Sequence, residues 1–397
     1  MYEVTRLLRD LVALPSINPM GRPLSGPDIY EHRVTAYLED FFRSLGVPYE
    51  RQPVAPGRDN ILAWTDGPDG ESGISPIRTT VIFEAHQDTV PTDNMTIEPF
   101  AARIENGRLY GRGACDIKGG MAAMLAAFAR LVRDKPPGAA RVVMVCTVDE
   151  EFTFLGAQHL VQLGLRERFP NLLGAIVAEP TQLHIVNAHK GSVRWNLTTT
   201  GRACHSSQPE QGVNAIYHMA AVLLHIERYA EELRTSRSDP RLGPPTLSVG
   251  RIDGGTSVNI VPDYCRIEID RRLLPGEEAS STLEHLHEYL RRRLDPSRMF
   301  SFSTPWLSAP PLTAVGSEEL VARLGAAIDS VLGAHQVDAV PYGTDAAPLA
   351  EAGVPSVVFG PGDIARAHTC DEWVSLEEVE QASQILYRLA CLGQKHP

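Results

Sequence analysis

The sequence lacks long apolar stretches and paired cysteine motifs. It has no run of about 18 apolar residues, so we expect no membrane-spanning helix and no membrane partner. Its opening residues, MYEVTRLLRDLVALP, carry charges throughout and predict an amphipathic helix instead of a signal peptide, which favours a cytoplasmic protein. The six cysteines are scattered without a C-x-x-C pair, a pattern that argues against a zinc ribbon, a redox motif or a disulfide framework.

Basic residues are also scarce. The chain has 37 Lys and Arg against 49 Asp and Glu, a formal net charge of -12. Such an excess of negative charge repels phosphate backbones, so nucleic acid is not an expected partner. Neither G-x-x-x-x-G-K-[ST] nor G-x-S-x-G occurs, and no motif in the sequence pairs Cys115 with a general base that would activate its thiol. These absences exclude a phosphate loop of that type and disfavour nucleophilic catalysis by serine or cysteine.

The order of predicted elements indicates two domains, as expected for a chain of 397 residues. Strand and helix signals alternate in residues 1–189 and again in residues 306–397, which predicts an α/β domain with a mostly parallel central sheet. Residues 190–305 contain two long amphipathic helices and several alternating strands, which predict an α+β domain with an antiparallel sheet. We therefore expect the second domain to be inserted into the first.

Histidines and carboxylates follow the apolar strands of the α/β part. They come after TTVIFEA, RVVMVCTV, GAIVA and SVVFGPG, and one more lies at the entry to a helix. These residues are His86, Asp88, Asp149, Glu150, Glu151, Glu179, His368 and, at the helix entry, Asp116. Because the carboxyl ends of parallel strands lie on one side of an open α/β sheet, we expect these side chains to form one cluster.

Such a cluster would be unstable without cations. Buried charges of one sign must be paired or must take up protons. Few basic residues lie in the same loops, namely Arg112, Lys118 and Arg366. Imidazole and carboxylate without thiolate suit Zn²⁺, Co²⁺ or Mn²⁺ better than Ca²⁺ or Mg²⁺, which prefer oxygen alone. The pattern therefore predicts a divalent metal site.

Each of these residues has a simpler explanation when it is taken alone. His86 alone fits a structural histidine, Asp116 alone fits a helix cap, and Glu150 with Glu151 fits a solvated turn. The joint pattern favours the metal site, because independent structural residues would not all fall at the same edge of the sheet.

Motifs along nearly the whole chain carry a family resemblance. HQDTVP, LYGRGACDIKGG, DEE, AEP and FGPGDIARAHTCDE occur in this order, and HSSQPEQGVNAI, GGTSVNIVPD and DRRLLPGE lie in the inserted part. Together they resemble the co-catalytic dizinc hydrolase family that includes acetylornithine deacetylase, succinyl-diaminopimelate desuccinylase, aminoacylase and glutamate carboxypeptidase. The resemblance implies a metallohydrolase that cleaves the amide bond of a small N-acyl amino acid or a short peptide.

The resemblance also implies a ligand set for two divalent metal ions per subunit. His86 and Glu179 would hold one ion, Glu151 and His368 would hold the other, and Asp116 would bridge both. Zinc is the expected metal, with cobalt or manganese as alternatives.

Further residues receive roles from the same resemblance. Asp88 would orient the imidazole of His86, and Glu150 would be the general base that takes a proton from the attacking water. His205, in the inserted domain, would stabilise the oxyanion, often in the active site of the partner subunit. No role is implied for Glu84.

The substrate's carboxylate would be held by Asn259 and Arg272, since arginine offers a bidentate fork. The neighbouring Arg271 is an alternative, because successive residues of a strand face opposite ways. The inserted domain would serve as a lid and as the interface of a homodimer.

Two other functions stay open. The GPGDIARAH segment favours the acetylornithine deacetylase and desuccinylase branch, but a dipeptidase or carboxypeptidase on the same scaffold is an alternative. A metal- or amino-acid-binding protein without catalysis is a further alternative, which would be marked by a lost base or ligand. No such loss occurs in this sequence.

Overall fold

The computed structural model describes residues 3–65 and 78–392. Two compact units are present. The first comprises Met1–Asn187, Ala314–Asp338 and Thr344–Pro397, and the second comprises Ala188–Thr313 and Ala339–Gly343. Within the described residues, no helix combines the length and the apolar character needed to cross a membrane.

The described strands and helices are numbered in chain order. The strands are β1 (Tyr49–Ala55), β2 (Arg58–Trp64), β3 (Thr80–His86), β4 (Arg103–Glu105), β5 (Arg108–Tyr110), β6 (Arg141–Thr147), β7 (Leu172–Val177), β8 (Ile185–His189), β9 (Gly191–Thr200), β10 (Cys204–His205), β11 (Thr246–Gly254), β12 (Ile260–Val261), β13 (Tyr264–Leu273), β14 (Phe300–Phe302), β15 (Leu307–Ala309), β16 (Val337–Val340), β17 (Ser356–Val358) and β18 (Trp373–Ser375). The helices are α1 (Val4–Val12), α2 (His32–Leu45), α3 (Gly119–Asp134), α4 (Leu155–Val161), α5 (Leu165–Arg168), α6 (Ala215–Ser236), α7 (Ala279–Arg293), α8 (Glu318–Leu332), α9 (Ala346–Glu351) and α10 (Leu376–Cys391).

A large mixed sheet has the strand order β1-β2-β6-β3-β7-β17-β8-β16. Its centre is parallel, because β3 pairs in parallel with both β6 and β7, and β17 pairs in parallel with β7. The pairs β1 with β2, β2 with β6, and β17 with β8 are antiparallel. The predicted α/β class with a mostly parallel central sheet is therefore confirmed.

Strand β3 lies at the heart of this sheet, and each of its residues is buried. Its alternate side chains Val81, Phe83 and Ala85 belong to one large hydrophobic core together with residues of α1, α3, α8 and α10. A strand buried in this way reads as a continuous apolar run, which explains the VIF segment. The polar side chains at the end of β3 therefore need partners at the sheet edge.

The second unit has its own core and its own antiparallel sheet, with the order β11-β13-β9-β14. Trp195 and Ile267 from the sheet pack with Met219 of α6 and Leu286 of α7. This architecture of two helices on an antiparallel sheet agrees with the predicted α+β class.

The second unit extends beyond the predicted limits of residues 190 and 305. Strand β15 pairs with β9, with Leu307 opposite Arg194, and this pairing draws the segment after residue 305 into the sheet of the second unit. Residues 339–343 also belong to this unit. Such strand pairing is a tertiary contact that the alternation of helix and strand signals does not report.

Candidate metal centre

The parallel strands bring their carboxyl ends to one edge of the sheet. His86, the last residue of β3, is in register with Thr147, the last residue of β6. Glu84 of β3 is in register with Val177, the last residue of β7. The acidic residues that begin two positions after β6 and β7 therefore lie at the same edge of the sheet as His86, as the sequence pattern predicts.

Two groups of three side chains at this edge could each hold a metal ion. The first group is His86, Asp116 and Glu179, and the second is Asp116, Glu151 and His368; in each group the ligand atoms lie within 4.8 Å of one another. These five residues are the ones that the family resemblance assigned as ligands. Asp116 belongs to both groups.

The two carboxylate oxygens of Asp116 face different histidines. Asp116 Oδ1 is 3.2 Å from Nε2 of His86, and Asp116 Oδ2 is 3.3 Å from Nε2 of His368. Nε2 of His368 is also 3.2 Å from Oε1 of Glu151. Two ligand atoms that are each about 2.0 Å from a tetrahedral zinc ion lie about 3.3 Å apart. The spacing and the chemistry of these donors therefore fit divalent cations.

Burial dominates the electrostatics of the acidic residues. It raises the pKa of Glu150, Glu151 and Glu179 above the ordinary value of a glutamate, and neighbouring carboxylates add to the effect. Burial also opposes the ionisation of Asp116, but the hydrogen bonds to His368 and His86 and the charges of these two histidines together lower its pKa. Four acidic groups thus share one buried region.

The histidines supply the positive charge that this region requires. Burial alone would lower the pKa of His368, yet Glu151 and Asp116 raise it to about 11. Burial would likewise lower the pKa of His86, but the hydrogen bond to Asp116 and the charges of Glu150, Asp88 and Asp116 together raise it well above its ordinary value. In the absence of metal, protons on the two imidazoles thus balance part of the negative charge of the cluster. A bound divalent cation would displace these protons and supply the positive charge instead.

The basic residues of the same loops have other partners. Arg112 pairs with Glu372 at 2.6 Å, and Nζ of Lys118 donates to the carbonyl of Leu14 at 2.7 Å. The guanidinium of Arg366 lies 5.4 Å from the centre of a tryptophan ring. Among the described residues, none of these contacts joins Arg112, Lys118 or Arg366 to a carboxylate of the two groups. The histidines are therefore the cationic partners of those carboxylates.

Asp88 makes different contacts from those expected. Nδ1 of His86 donates to the backbone carbonyl of Asp88 at 3.0 Å, while the nearer carboxylate oxygen is 3.7 Å away. The carboxylate instead accepts hydrogen bonds from the backbone N–H groups of Glu150, at 3.1 Å, and Glu151, at 3.2 Å. Asp88 therefore contacts the imidazole through its main chain and organises the Glu150–Glu151 peptide groups through its side chain.

A buried hydrogen-bond network that no sequence motif indicates lies behind Asp88. Nδ2 of Asn18 donates to Asp88 at 2.8 Å and to Asp149 at 2.9 Å. Arg58 donates to the same oxygen of Asp149 at 2.6 Å and pairs with Glu31. Asp149 itself has a φ of 65°, a left-handed conformation that non-glycine residues adopt only with local support. This network fixes the turn that carries Glu150 and Glu151.

Glu84 also finds a partner that the sequence did not indicate. The hydroxyl of Thr147 lies 2.6 Å from Glu84 and 2.9 Å from Asp345. A hydroxyl has one proton and can donate to only one of them, so the second contact requires a proton on one carboxyl group. Burial raises the pKa of both groups, that of Asp345 to about 7.

In the second unit, the structure brings His205 and Asn259 together. His205 of β10 pairs with Ile260 of β12, and the N–H of Ser206 donates to the carbonyl of Asn259 at 3.0 Å. The N–H of Ser207 donates to Nδ1 of His205 at 3.2 Å. In the neutral ring the proton is therefore on Nε2, and the side chain is exposed.

Arg272 lies elsewhere in the same unit. Tyr264, at the end of β13 nearer to Asn259, is separated from Arg272 by roughly 26 Å of extended strand. The guanidinium of Arg272 already donates two hydrogen bonds to the carboxylate of Asp270, from Nε at 2.8 Å and from Nη2 at 3.2 Å. Arg271 is buried against Glu277, so Arg272 is the more accessible of the two arginines. The two predicted carboxylate-binding residues are therefore not neighbours within one chain.

Comparison with known proteins places this arrangement in a family. Residues 82–391 match the model of peptidase family M20/M25/M40. The chain belongs to this peptidase family. The resemblance inferred from the motifs is thereby confirmed, and with it the enzyme class, a metal-dependent hydrolase of amide or peptide bonds.

Several M20 relatives align with nearly the whole chain. A Proteus mirabilis protein named acetylornithine deacetylase is 30% identical over 404 residues, which cover 98% of this chain and 97% of that protein. The solved structure of an M20 metallo-carboxypeptidase from Sulfolobus solfataricus has a TM-score of 0.75 at 20% identity and covers 99% of both chains. A Bacillus subtilis M20 protein described as a dinuclear metal binding peptidase has a TM-score of 0.66 at 17% identity, with 98% of this chain and 97% of that chain covered.

Proposed function

We propose that this protein is a deacylase that hydrolyses the amide bond of a small N-acyl amino acid. The observation that carries the proposal is the pair of three-residue groups that share Asp116 at the carboxyl edge of the sheet. The full-length similarity to a protein named acetylornithine deacetylase supports an N-acyl amino acid as the substrate class. We also propose, from the sequence alone, that the protein is cytoplasmic.

Two divalent ions, with zinc as the first choice, would occupy the centre. His86, Asp116 and Glu179 would hold one ion, and Asp116, Glu151 and His368 would hold the other. Such ions act as Lewis acids that polarise a carbonyl group and lower the pKa of water. Because Asp116, Glu151 and Glu179 supply only three negative charges, two bound divalent ions would leave positive charge that could stabilise a developing oxyanion.

Glu150 would be the general base. It is buried, it lies outside both three-residue groups, and burial raises its pKa well above the ordinary value. A carboxylate with a raised pKa takes a proton from the attacking water readily and can return it to the departing amine. Asp88 would hold the peptide groups of Glu150 and Glu151 in place and, through its carbonyl, orient His86.

The second unit would complete the site as part of a homodimer. Nε2 of His205 would donate a hydrogen bond to the oxyanion, and Asn259 and Arg272 would bind the substrate's carboxylate. Since roughly 26 Å of strand lies between Tyr264 and Arg272, residues of two subunits would serve one substrate. His205 and Asn259 of one subunit would then act with Arg272 of the other.

Metal analysis followed by a hydrolysis screen tests the proposal. We expect purified protein to carry divalent metal, to lose turnover with chelator, and to release amine from N-acetyl or N-succinyl amino acids faster than from dipeptides. Faster hydrolysis of dipeptides would instead identify a dipeptidase or carboxypeptidase. Absence of divalent metal together with indifference to chelator would refute the metal centre, and binding of metal without hydrolysis of either substrate class would identify a non-catalytic binding protein.

Mixing two inactive variants tests the contribution of the second subunit. A mixture of His205→Ala and Glu150→Gln chains should regain turnover, because one site of a mixed dimer has an intact Glu150 and receives an intact His205. No recovery in mixtures that form mixed dimers would contradict action across subunits.

A further inference from the structure

A chain of polar contacts beside the metal centre ends at the backbone of His368. Arg112 stands at its middle, where Nη1 donates to Oε2 of Glu372 at 2.6 Å and Nη2 donates to Oδ1 of Asn94 at 3.1 Å. Nδ2 of Asn94 in turn donates to the carbonyl oxygen of His368 at 3.1 Å. One guanidinium is thus connected to the backbone of a candidate metal ligand through the amide of one asparagine.

The other end of this series of hydrogen bonds reaches Asp116. Oε1 of Glu372 accepts hydrogen bonds from the N–H groups of Cys115, at 2.9 Å, and Asp116, at 3.1 Å. The side chains of Arg112 and Glu372 are 1% and 0% exposed, so water does not compete for their contacts. Arg112 therefore connects the backbone of Asp116, through Glu372, with the backbone of His368, through Asn94.

His368 is the ligand that most needs such support. Its φ is 60°, a left-handed conformation that a residue other than glycine retains only where its surroundings hold it. Its side chain is 47% exposed, unlike the buried side chains of Asp116 and Glu151 that it contacts. The hydrogen bond from Asn94 falls on the carbonyl of this same residue.

We propose that Asn94 is a positioning residue that, anchored by Arg112, holds His368 in place relative to Asp116. Asn94 thereby sets the affinity of the group Asp116, Glu151 and His368 for its metal ion. This inference rests on the proposed function, because it requires that this group binds metal. Asn94 itself is exposed, so its replacement leaves the hydrophobic core intact.

Zinc titration of variants tests this role without measuring turnover. Asn94→Ala removes both contacts, whereas Asn94→Asp keeps the acceptor for Arg112 and loses the donor to His368. Asp93→Ala is the matched control, because Asp93 lies in the same turn and pairs with exposed Arg22. Zn²⁺ is added to each metal-free protein in a calorimeter, and thermal unfolding of the same samples is recorded.

We expect one of the two zinc-binding steps to weaken about 10- to 100-fold in both Asn94 variants, as is typical for loss of a residue behind a metal ligand. The other step and the thermal midpoint of the metal-free protein should stay within error of the wild type. Asp93→Ala should bind zinc like the wild type at both steps.

Three results would overturn the inference. They are wild-type zinc affinity at both steps in Asn94→Ala, wild-type affinity in Asn94→Asp, and equal weakening in the Asp93→Ala control. Failure of the proposed function would look different. In that case the wild-type protein would bind no zinc, or His368→Ala would bind it as tightly as the wild type.

Discussion

Replacing Asn18 with aspartate tests whether the network behind the metal centre depends on the two protons of one amide. In the native protein, Nδ2 of Asn18 donates to Asp88 at 2.8 Å and to Asp149 at 2.9 Å, and Asn18 is 1% exposed. Oδ1 of Asn18 accepts from the N–H of Met20 at 2.9 Å, which fixes the orientation of the amide. An ionised carboxylate of the same shape donates to neither aspartate and adds a third negative charge.

The expected loss of stability depends on pH. The introduced carboxyl group must be protonated to donate even once, and protonation of a group with an ordinary pKa of about 3.9 costs about 4 kcal/mol at pH 7 and about 1.5 kcal/mol at pH 5. The second donor is lost at every pH, which costs about 1.5–3 kcal/mol for a bond to a charged acceptor. The deficit in the free energy of unfolding should therefore be about 2.5 kcal/mol smaller at pH 5 than at pH 7.

The sign follows from the raised pKa of the introduced group in the folded state. Such a group favours folding most below its unfolded pKa of about 3.9, and this contribution is lost as pH rises. Asn18→Ala is the matched control, because it removes both donors and introduces no titratable group. Urea unfolding of the metal-free wild type and both variants at pH 5 and pH 7 measures the difference. A stability deficit of Asn18→Asp that changes with pH no more than that of Asn18→Ala would refute this role of the Asn18 amide.

Three further predictions concern the base, a buried histidine and the metal. Glu150→Gln should lower kcat about 10²- to 10⁴-fold while bound metal, measured by elemental analysis, stays unchanged, and a variant that loses metal would place Glu150 among the ligands instead. Burial lowers the pKa of His189 from 6.5 to about 4, so only the unfolded chain takes up this proton between these pH values. The stabilising contribution present above pH 6.5 should thus decline by about 1.4 kcal/mol per pH unit as pH falls toward 4, and urea unfolding of His189→Asn should show a shallower decline than the wild type. A chelator should lower the unfolding temperature, since zinc at 100 times its Kd adds about 2.7 kcal/mol per site; an unchanged midpoint in scanning calorimetry would contradict metal binding to the folded state.

Much of the candidate centre was predictable because its residues follow regular strands. His86, Glu151 and Glu179 follow apolar segments, and parallel pairing of β3 with β6 and β7 brings the ends of these segments to one edge. Residues whose importance comes from side-chain contacts were not predictable in this way. Asn18 and Asn94 stand in irregular segments with no periodicity, and their partners are 70 and 274 residues away in the chain.

The sequence by itself determined the α/β class, the inserted α+β unit and the set of imidazole and carboxylate donors, because strand burial and helix amphipathicity leave periodic patterns in the chain. Only the tertiary structure decided how these donors are arranged. It directed the carboxylate of Asp88 toward the peptide groups of Glu150 and Glu151 and paired Glu84 with Asp345. It also placed Arg272 near the end of β13 that lies away from Asn259. Hydrogen-bond direction, burial and strand register depend on contacts between distant segments, and a local sequence pattern carries no record of those contacts.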